Sequence, residues 1–395
     1  MRLPRWRPCR SGRILPNSTR INKADSIFIV LKYIDEFRNP NLVKSVVVRI
    51  HGEFSGKAVK FMEVCGGHTV TIFKYGIQKL LPERVYLISG PGCPVCVTDV
   101  AFIDKAIALA HRKNVIITSF GDMIRVPGSR TSLQREKGNG IDLRICYSPM
   151  DALTIARDNP GKEVVFLGIG FETTAPTVAA AIKLAADNNV RNFSVLSAHK
   201  TMPQAMQALL DSGEIDIHGF ICPGHVSAIT GIHIYDFIAE KYNIPCVVSG
   251  FEPLDMLESI LMLIRQINSD NATVENQYAR SVREYGNQTA IEIMNEVFEA
   301  VDTEWRGIGT IPGSGLGIRT DYANYDAERK FDISIESVRE CPGCICGDIM
   351  RGVKVPWDCK LFAKVCHPED PKGSCMVSNE GTCATWYKYA AKENG

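Results

Sequence analysis

The chain has 395 residues, 45% of them apolar and 23% charged, with 45 Lys and Arg against 44 Asp and Glu. This is the make-up of a globular protein with room for two or three buried cores, and its charge balance argues against a polyanion-binding surface such as one for nucleic acid. No apolar run approaches the roughly 20 residues that a membrane-spanning helix needs.

The opening stretch, MRLPRWRPCRSGR, is rich in Arg and Pro and follows neither a helical nor a strand period. Residues 1–28 are therefore expected to be a disordered or mis-assigned N-terminal extension, with ordered structure beginning near LKYIDEF. From Ala58 onward a unit recurs: a short β-branched run, a Gly/Pro-rich loop, then a helical pattern. The runs are AVKFMEV, RVYLIS, NVIITSF, DLRICY, EVVFLGI, NFSVLSA, IHGFICP and IPCVVSG. Between them, stretches such as DVAFIDKAIALAHRK and APTVAAAIKLAADNN carry apolar residues at helical spacing. Alternating strands and helices predict parallel sheets covered on both faces.

The segment SPMDALTIARDNPGKE separates the runs into two sets of four. The expected fold class is α/β: two similar doubly wound domains with small parallel sheets, over 29–150 and 151–252. A single barrel is the alternative. From residue 253 the pattern turns helical in PLDMLESILMLIRQI and AIEIMNEVFEAV, and a glycine-rich connector, WRGIGTIPGSGLGIR, leads to a cysteine-dense tail. Residues 253–395 are expected to be a helical and cysteine-rich iron–sulfur domain, because a tail with few apolar runs usually needs a metal to hold it together.

In open α/β sheets, ligands bind beyond the carboxyl ends of the strands. Polar and reactive residues occupy that position repeatedly: Cys65, His68 and Thr69 in CGGHT, Cys93 and Cys96 in GPGCPVC, and Asp122, Arg125 and Ser129 in GDMIRVPGS. Glu172 follows in GFETTAP, His199 and Lys200 in HKTMP, His225 in PGHVS, and Glu252 with Asp255 in GFEPLD. Singly, each loop is first of all a tight turn, and a lone loop histidine is more often structural than a ligand. Seven at equivalent positions predict one shared cleft. GFETTAP lacks both the phosphate-loop Lys-Ser/Thr and the dinucleotide spacing, which disfavours nucleotide binding.

A strand-end cysteine flanked by glycines, such as Cys65, is expected to be exposed and low in pKa, hence a nucleophile or soft-metal ligand. Cys93 and Cys96, spaced by Pro-Val at a helix start, suit a disulfide or a shared ion. With Cys65 and His68 they predict an open iron or copper site, with closed structural zinc as the alternative.

Fourteen cysteines, seven of them between Cys341 and Cys383, fit metal ligands or redox thiols in a reducing, cytoplasmic setting. In the tail only Cys341 and Cys344 are spaced as Cys-x-x-Cys. Thiolates on irregular, proline-bearing loops suit an iron–sulfur cluster, and surplus thiols beside one suit a redox disulfide. Zinc is again the alternative.

The motifs FMEVCGGHT, GPGCPVC, FGDMIRVPGS, GFETTAP, CPGHVSAITG, SGFEPLD, CGDIMRG and GSCMVSNEGTCATWYKY together resemble the HypD family of hydrogenase maturation factors, from about Lys32 to about Ala391. The resemblance implies two α/β domains, a third domain carrying a [4Fe–4S] cluster, and a role in assembling the Fe(CN)2CO centre of [NiFe] hydrogenases. It implies as partners the small chaperone HypC, HypE as donor of cyanide from a thiocyanate, and the hydrogenase large subunit indirectly, with no nucleic acid and no membrane.

Residue by residue, the resemblance makes Cys65 the holder of the transient iron, with His68 beside it, and Cys93 and Cys96 redox-active or iron-proximal thiols. The family spacing C-x14-C-x6-C-x16-C falls on Cys344, Cys359, Cys366 and Cys383 as cluster ligands. Cys346 and Cys375 are then left as a redox disulfide pair, by analogy with ferredoxin:thioredoxin reductase. Cys341 stands outside the pattern. A competing function is a cluster-driven thiol–disulfide reductase acting through Cys93 and Cys96.

Overall fold

All eight β-branched runs become strands in a computed structural model that describes residues 35–390. In chain order they are β1 (Val59–Glu63), β2 (Val85–Ser89), β3 (Val115–Ser119), β4 (Asp142–Ile145), β5 (Glu163–Gly170), β6 (Phe193–His199), β7 (Gly219–Pro223) and β8 (Cys246–Ser249). Three more follow: β9 (Val274–Asn276), β10 (Phe298–Trp305) and β11 (Gly309–Ile318). The extension expected at 1–28 lies outside the described residues.

The helices between the strands form where apolar spacing and caps agree. Val100–Ala110 starts on Asp99, whose side chain accepts the Phe102 N–H at 2.8 Å, and it buries Phe102, Ile103, Ala106 and Leu109. Pro149–Asp158 starts with a capping box between Ser148 and Asp151. Among the described residues no helix is long and apolar enough to cross a membrane.

Two parallel sheets result, ordered β2-β1-β7-β8-β9 and β4-β3-β5-β6, beside an antiparallel β10–β11 ribbon. The α/β class with small parallel sheets is as expected, but the sets of four are not the first four and last four strands. β1 pairs with β7 in the register Phe61↔Gly219, Met62↔Phe220, Glu63↔Ile221. Strands β3 to β6 form the other sheet, and a boundary at residue 150 runs through it. The helix Pro149–Asp158 is a crossover within that sheet, not a linker between domains.

Local composition does not encode strand order, because parallel neighbours need no adjacency in the chain. Glycine makes the β1–β7 match close: a Cβ on Gly219 would stand 3.0 Å from the Phe61 ring.

The glycine-rich connector is a second correction, since it forms the β10–β11 hairpin. Glycines usually weaken strands, but here they make room for branched partners. A Cβ at Gly315 would press on Thr303 and Val301, and one at Gly317 on Val301. The turn runs through Gly307 and Gly309, at φ +69° and +105°, a region that side-chain-bearing residues rarely adopt.

One core spans both sheets and the cysteine-rich tail: Met62 and Phe220, Ile117 and Leu167, Trp305, Ile349 and Cys375 belong to the same buried cluster. The hairpin tip is its wedge. Trp305 is fully buried, donates its indole N–H to Ser314 Oγ at 2.8 Å, and stacks at 6.0 Å on Phe171. Lys200, also buried, places its Nζ 2.6 Å from the Glu304 carbonyl and 5.4 Å over the Trp305 ring. Burial draws the Lys200 amine down to about 8. Trp305→Ala is expected to cost about 3–5 kcal/mol of stability, as deletion of a buried tryptophan usually does. Trp305→Phe is expected to cost less. Urea unfolding of both variants checks this, and a Trp305→Ala cost below about 1 kcal/mol would refute the wedge role.

Candidate metal and thiol centre

Strand β1 ends in a buried carboxylate, Glu63, and that carboxylate organises the loop beyond it. Glu63 Oε2 accepts the Cys65 N–H at 3.0 Å and Oε1 accepts the Thr69 hydroxyl at 2.5 Å. Burial pushes the Glu63 carboxyl up to about 8, against the lowering effect of these hydrogen bonds. Sequence inspection passed over Glu63, although a lone charge inside FMEV was a visible signal.

Cys65 begins the helix Gly66–Lys74, in extended backbone at φ −149°. The neighbouring GPGCPVC loop lies directly against it. Gly66 N–H donates to the Gly92 carbonyl at 3.1 Å, and a Cβ on Gly92 would collide with the Cys65 backbone. Cys65 is half-buried, and its thiol is not readily ionised as expected from its flanking glycines. Burial, then the charges of Glu380 and Glu63, push it up to about 12. An unassisted thiolate is therefore disfavoured, and a cation is what would stabilise one.

His68 is fully buried and stacks on Phe251 at 4.8 Å, while His225 stacks on the same ring at 3.9 Å. Its Nε2 lies 3.3 Å from the Ser249 carbonyl. A carbonyl can only accept, so Nε2 carries the proton and Nδ1 holds the free lone pair. That Nδ1 is buried without a hydrogen-bond partner. Burial draws the imidazole down to about 4, so it is neutral at pH 7.

Cys93 caps the single-turn helix Pro94–Val97 and Cys96 lies within it, and both are buried. Together with Gly66, Thr69, Cys375 and Glu380 they wall a small recess. The tail closes it: Ser374 Oγ donates to the Cys96 carbonyl at 2.6 Å, and Gly381 packs against the Cys96 sulfur. Thiol contacts from Cys346, Cys383 and Cys96 favour the Cys375 thiolate and hold it well below the usual thiol range. Burial instead pushes Cys96 well up. The strand-end thiols are thus continuous with the C-terminal cysteines.

Within the tail, Cys344 and Cys346 bring their sulfurs to 3.2 Å. A Cβ on Gly373 would collide with both, so glycine forms their cradle. Cys366 Sγ accepts the Lys372 N–H at 3.3 Å, a backbone donor of the kind that supports a ligating thiolate. Cys359 Sγ faces the Gly343 carbonyl at 3.9 Å, and Cys383 contacts Cys346 and Cys375. Among the described residues no group of three or more His, Cys, Asp or Glu side chains stands gathered to hold one metal ion.

The shared cleft is narrower than expected. Loops after β1 and β2 line the recess with the tail, and those after β7 and β8 reach His68, through His225 and Phe251, rather than the recess. Lys200 and His199 are buried against the hairpin, His199 at 5.5 Å from Phe298. Glu172 accepts the Met202 N–H at 2.9 Å and is a buried structural carboxyl. Asp255 is fully buried and pairs with Arg280 at 2.5 Å, while Glu252 pairs with Arg38 at 2.5 Å. Arg125 reaches the tail, donating to the Val377 carbonyl.

The family model described as "HypD: Hydrogenase formation hypA family" matches residues 41–390. This chain belongs to the HypD family. Among its relatives, the hydrogenase maturation factor HypD2 of Bradyrhizobium diazoefficiens is 50% identical over 368 residues, covering 91% of this chain and 97% of the relative. The hydrogenase maturation factor HypD of Rhodobacter capsulatus is 49% identical over 370 residues (91% and 98%), and that of Cupriavidus necator 48% identical over 368 residues (91% and 97%).

Glu63 makes a pH prediction for this HypD-family chain. Its folded pKa is raised from 4.5 to about 8, so its contribution is fully present below pH 4.5 and is lost as pH rises through 8. The full span is worth roughly 4–5 kcal/mol. Glu63→Gln should therefore gain stability relative to the parent between pH 5 and pH 8. Parallel stability curves for the two proteins, measured by urea unfolding across that range, would count against a buried neutral carboxyl.

Proposed function

We propose that this chain is a scaffold on which the Fe(CN)2CO centre of a [NiFe] hydrogenase is assembled, within the hydrogenase-maturation role of its family. The carrying observation is the continuity of thiols from Cys96 through Cys375 to Cys346 and Cys383, beside the loop that bears Cys65. A stand-alone metal site needs no such continuity.

In this reading Cys65 holds the incoming iron as substrate. Its thiol is neutral while the site is empty of cations, and iron binding displaces the proton. The buried Nδ1 lone pair of His68 suits a second contact or a proton acceptor at that iron. The small chaperone HypC delivers or shares the iron, and HypE brings cyanide as a thiocyanate. Releasing cyanide from a thiocyanate takes two electrons. A dithiol supplies them: Cys93 and Cys96 become a disulfide, the donor sulfur leaves as a thiol, and the two protons end on that thiol and on hydrogen cyanide, which iron takes as the anion. In this reading Cys375 and Cys346 exchange with that disulfide, a role supported by the thiol contacts of Cys375 to Cys96 and Cys346.

Cys344, Cys359, Cys366 and Cys383 are the residues that would hold a [4Fe–4S] cluster. The donor chemistry fits: four thiols on irregular loops, a backbone N–H already on Cys366, and a glycine cradle at residue 373. Each thiolate of such a cluster binds its own iron, so the ligands need not converge on one point. When bound, the cluster would supply single electrons close to Cys346 and Cys375.

Infrared spectra of the anaerobically purified chain, co-expressed with its small chaperone, test the proposal. Cyanide and carbonyl stretching bands are expected. Their absence, together with disulfide reductase turnover, would favour the thiol–disulfide reductase instead. Cys65→Ser is expected to lose the bands while keeping the iron–sulfur absorption. Cys359→Ala is expected to lose the absorption and to lower the band intensity, and full loading in that variant would refute an obligatory cluster.

A further inference from the structure

A cavity of about 690 Å³ opens between the GDMIRVPGS loop, the β10–β11 turn and the start of the cysteine-rich tail. Its size lies within the roughly 300–1,000 Å³ of small-molecule sites. None of the four cysteines assigned to the cluster lines it. Six basic side chains do, Arg125, Arg130, Arg135, Arg306, Arg339 and Lys372, against three acidic ones, in a chain whose formal net charge is +1.

Most of these charges have partners. Asp370 takes both Arg135 at 3.0 Å and Lys372 at 2.5 Å. Arg130 pairs with Glu336, and Arg125 with Asp122 at 3.2 Å. The Arg306 side chain is held loosely and that of Arg339, among the described residues, not at all. Arg306 is only 5% exposed, yet its guanidinium has one bond of 3.3 Å to the Pro127 carbonyl and stands 3.7 Å from Glu340, too far to hydrogen-bond. Arg339 makes no side-chain hydrogen bond or ion pair among the described residues; its backbone N–H is held by Ser129 Oγ at 2.9 Å. With one hydrogen bond and one loose ion pair, the Arg306 guanidinium has N–H donors left for an anion in the cavity.

The backbone holds the buried group in place. The Arg306 N–H donates to the Val97 carbonyl at 2.9 Å, at the end of the helix that carries Cys96. A fixed guanidinium at the floor and a free one at the rim, in one cavity, match the two-point recognition of an oxyanion.

We propose that this cavity binds a ligand bearing carboxylate or phosphate groups, with Arg306 as the fixed donor and Arg339 as the capturing one. The inference does not rest on the maturation role. The ligand's source is either a small polyanion or an acidic segment of a partner chain, and both present the same groups to the two arginines.

Calorimetric titration of the full chain with citrate, inorganic phosphate and a six-residue Asp/Glu peptide tests this. Saturable binding of at least one probe is expected, weakening as salt rises. Arg339→Gln and Arg306→Gln are each expected to weaken it about tenfold or more. Lys113→Gln, on a separate basic surface, should leave it unchanged. Tighter binding of the peptide assigns the source to a partner segment, and tighter binding of citrate or phosphate to a small anion. If Arg306→Gln fails to fold, exposed Arg339 carries the test, with Arg339→Lys restoring part of the affinity because charge returns without the planar fork. Absence of saturable binding by all three probes, or equal binding by parent and Arg339→Gln, overturns the proposal.

Discussion

The candidate site depends on the parallel pairing of β1 with β7. That contact returns the chain to its first strand after four intervening strands have built a second sheet. The loop after β8, which carries Phe251, thereby packs beside the loop after β1. It also lets the C-terminal tail reach the loops after both β1 and β2, through Glu380 on Gly66 and Ser374 on Cys96. Were the first four strands to form a sheet of their own, the Cys65 loop would lose the Phe251 and Ser249 contacts that hold His68.

Burial controls the chemistry of the thiols that this pairing gathers. A thiol taken out of water resists ionisation, and Cys65 and Cys96 follow that rule. Cys375 departs from it because its sulfur is surrounded by thiol donors, which stabilise its anion more than burial penalises it. The same logic governs the polar groups around them: burial holds Glu63 toward neutrality and keeps His68 neutral.

The hairpin β10–β11 joins these layers. Its tip passes between the helix Pro94–Val97 and the helix Cys346–Met350, touching the first through the Arg306 N–H and the second through Gly307, whose backbone meets Gly347 too closely for a side chain. Lys200 and Trp305 fix the tip from behind. These two residues explain why HKTMP looks like a functional loop in sequence yet serves as a brace: its amine is spent on a carbonyl and an aromatic face.

By itself the sequence determined the eight parallel strands, the helices between them, and the gathering of cysteines at strand ends and in the tail, because β-branched runs, helical spacing and glycine-rich turns are local properties. Its motifs also carried the family resemblance. The tertiary structure alone decided which strands are neighbours, since two parallel sheets exchange strands without altering any local pattern. It alone revealed the hairpin inside WRGIGTIPGSGLGIR, where glycines that read as a connector instead accommodate Val301 and Thr303. And it alone assigned chemistry to Glu63, Cys65 and Cys375, because a side chain's pKa follows from burial and from neighbours distant in the chain, which no stretch of sequence contains.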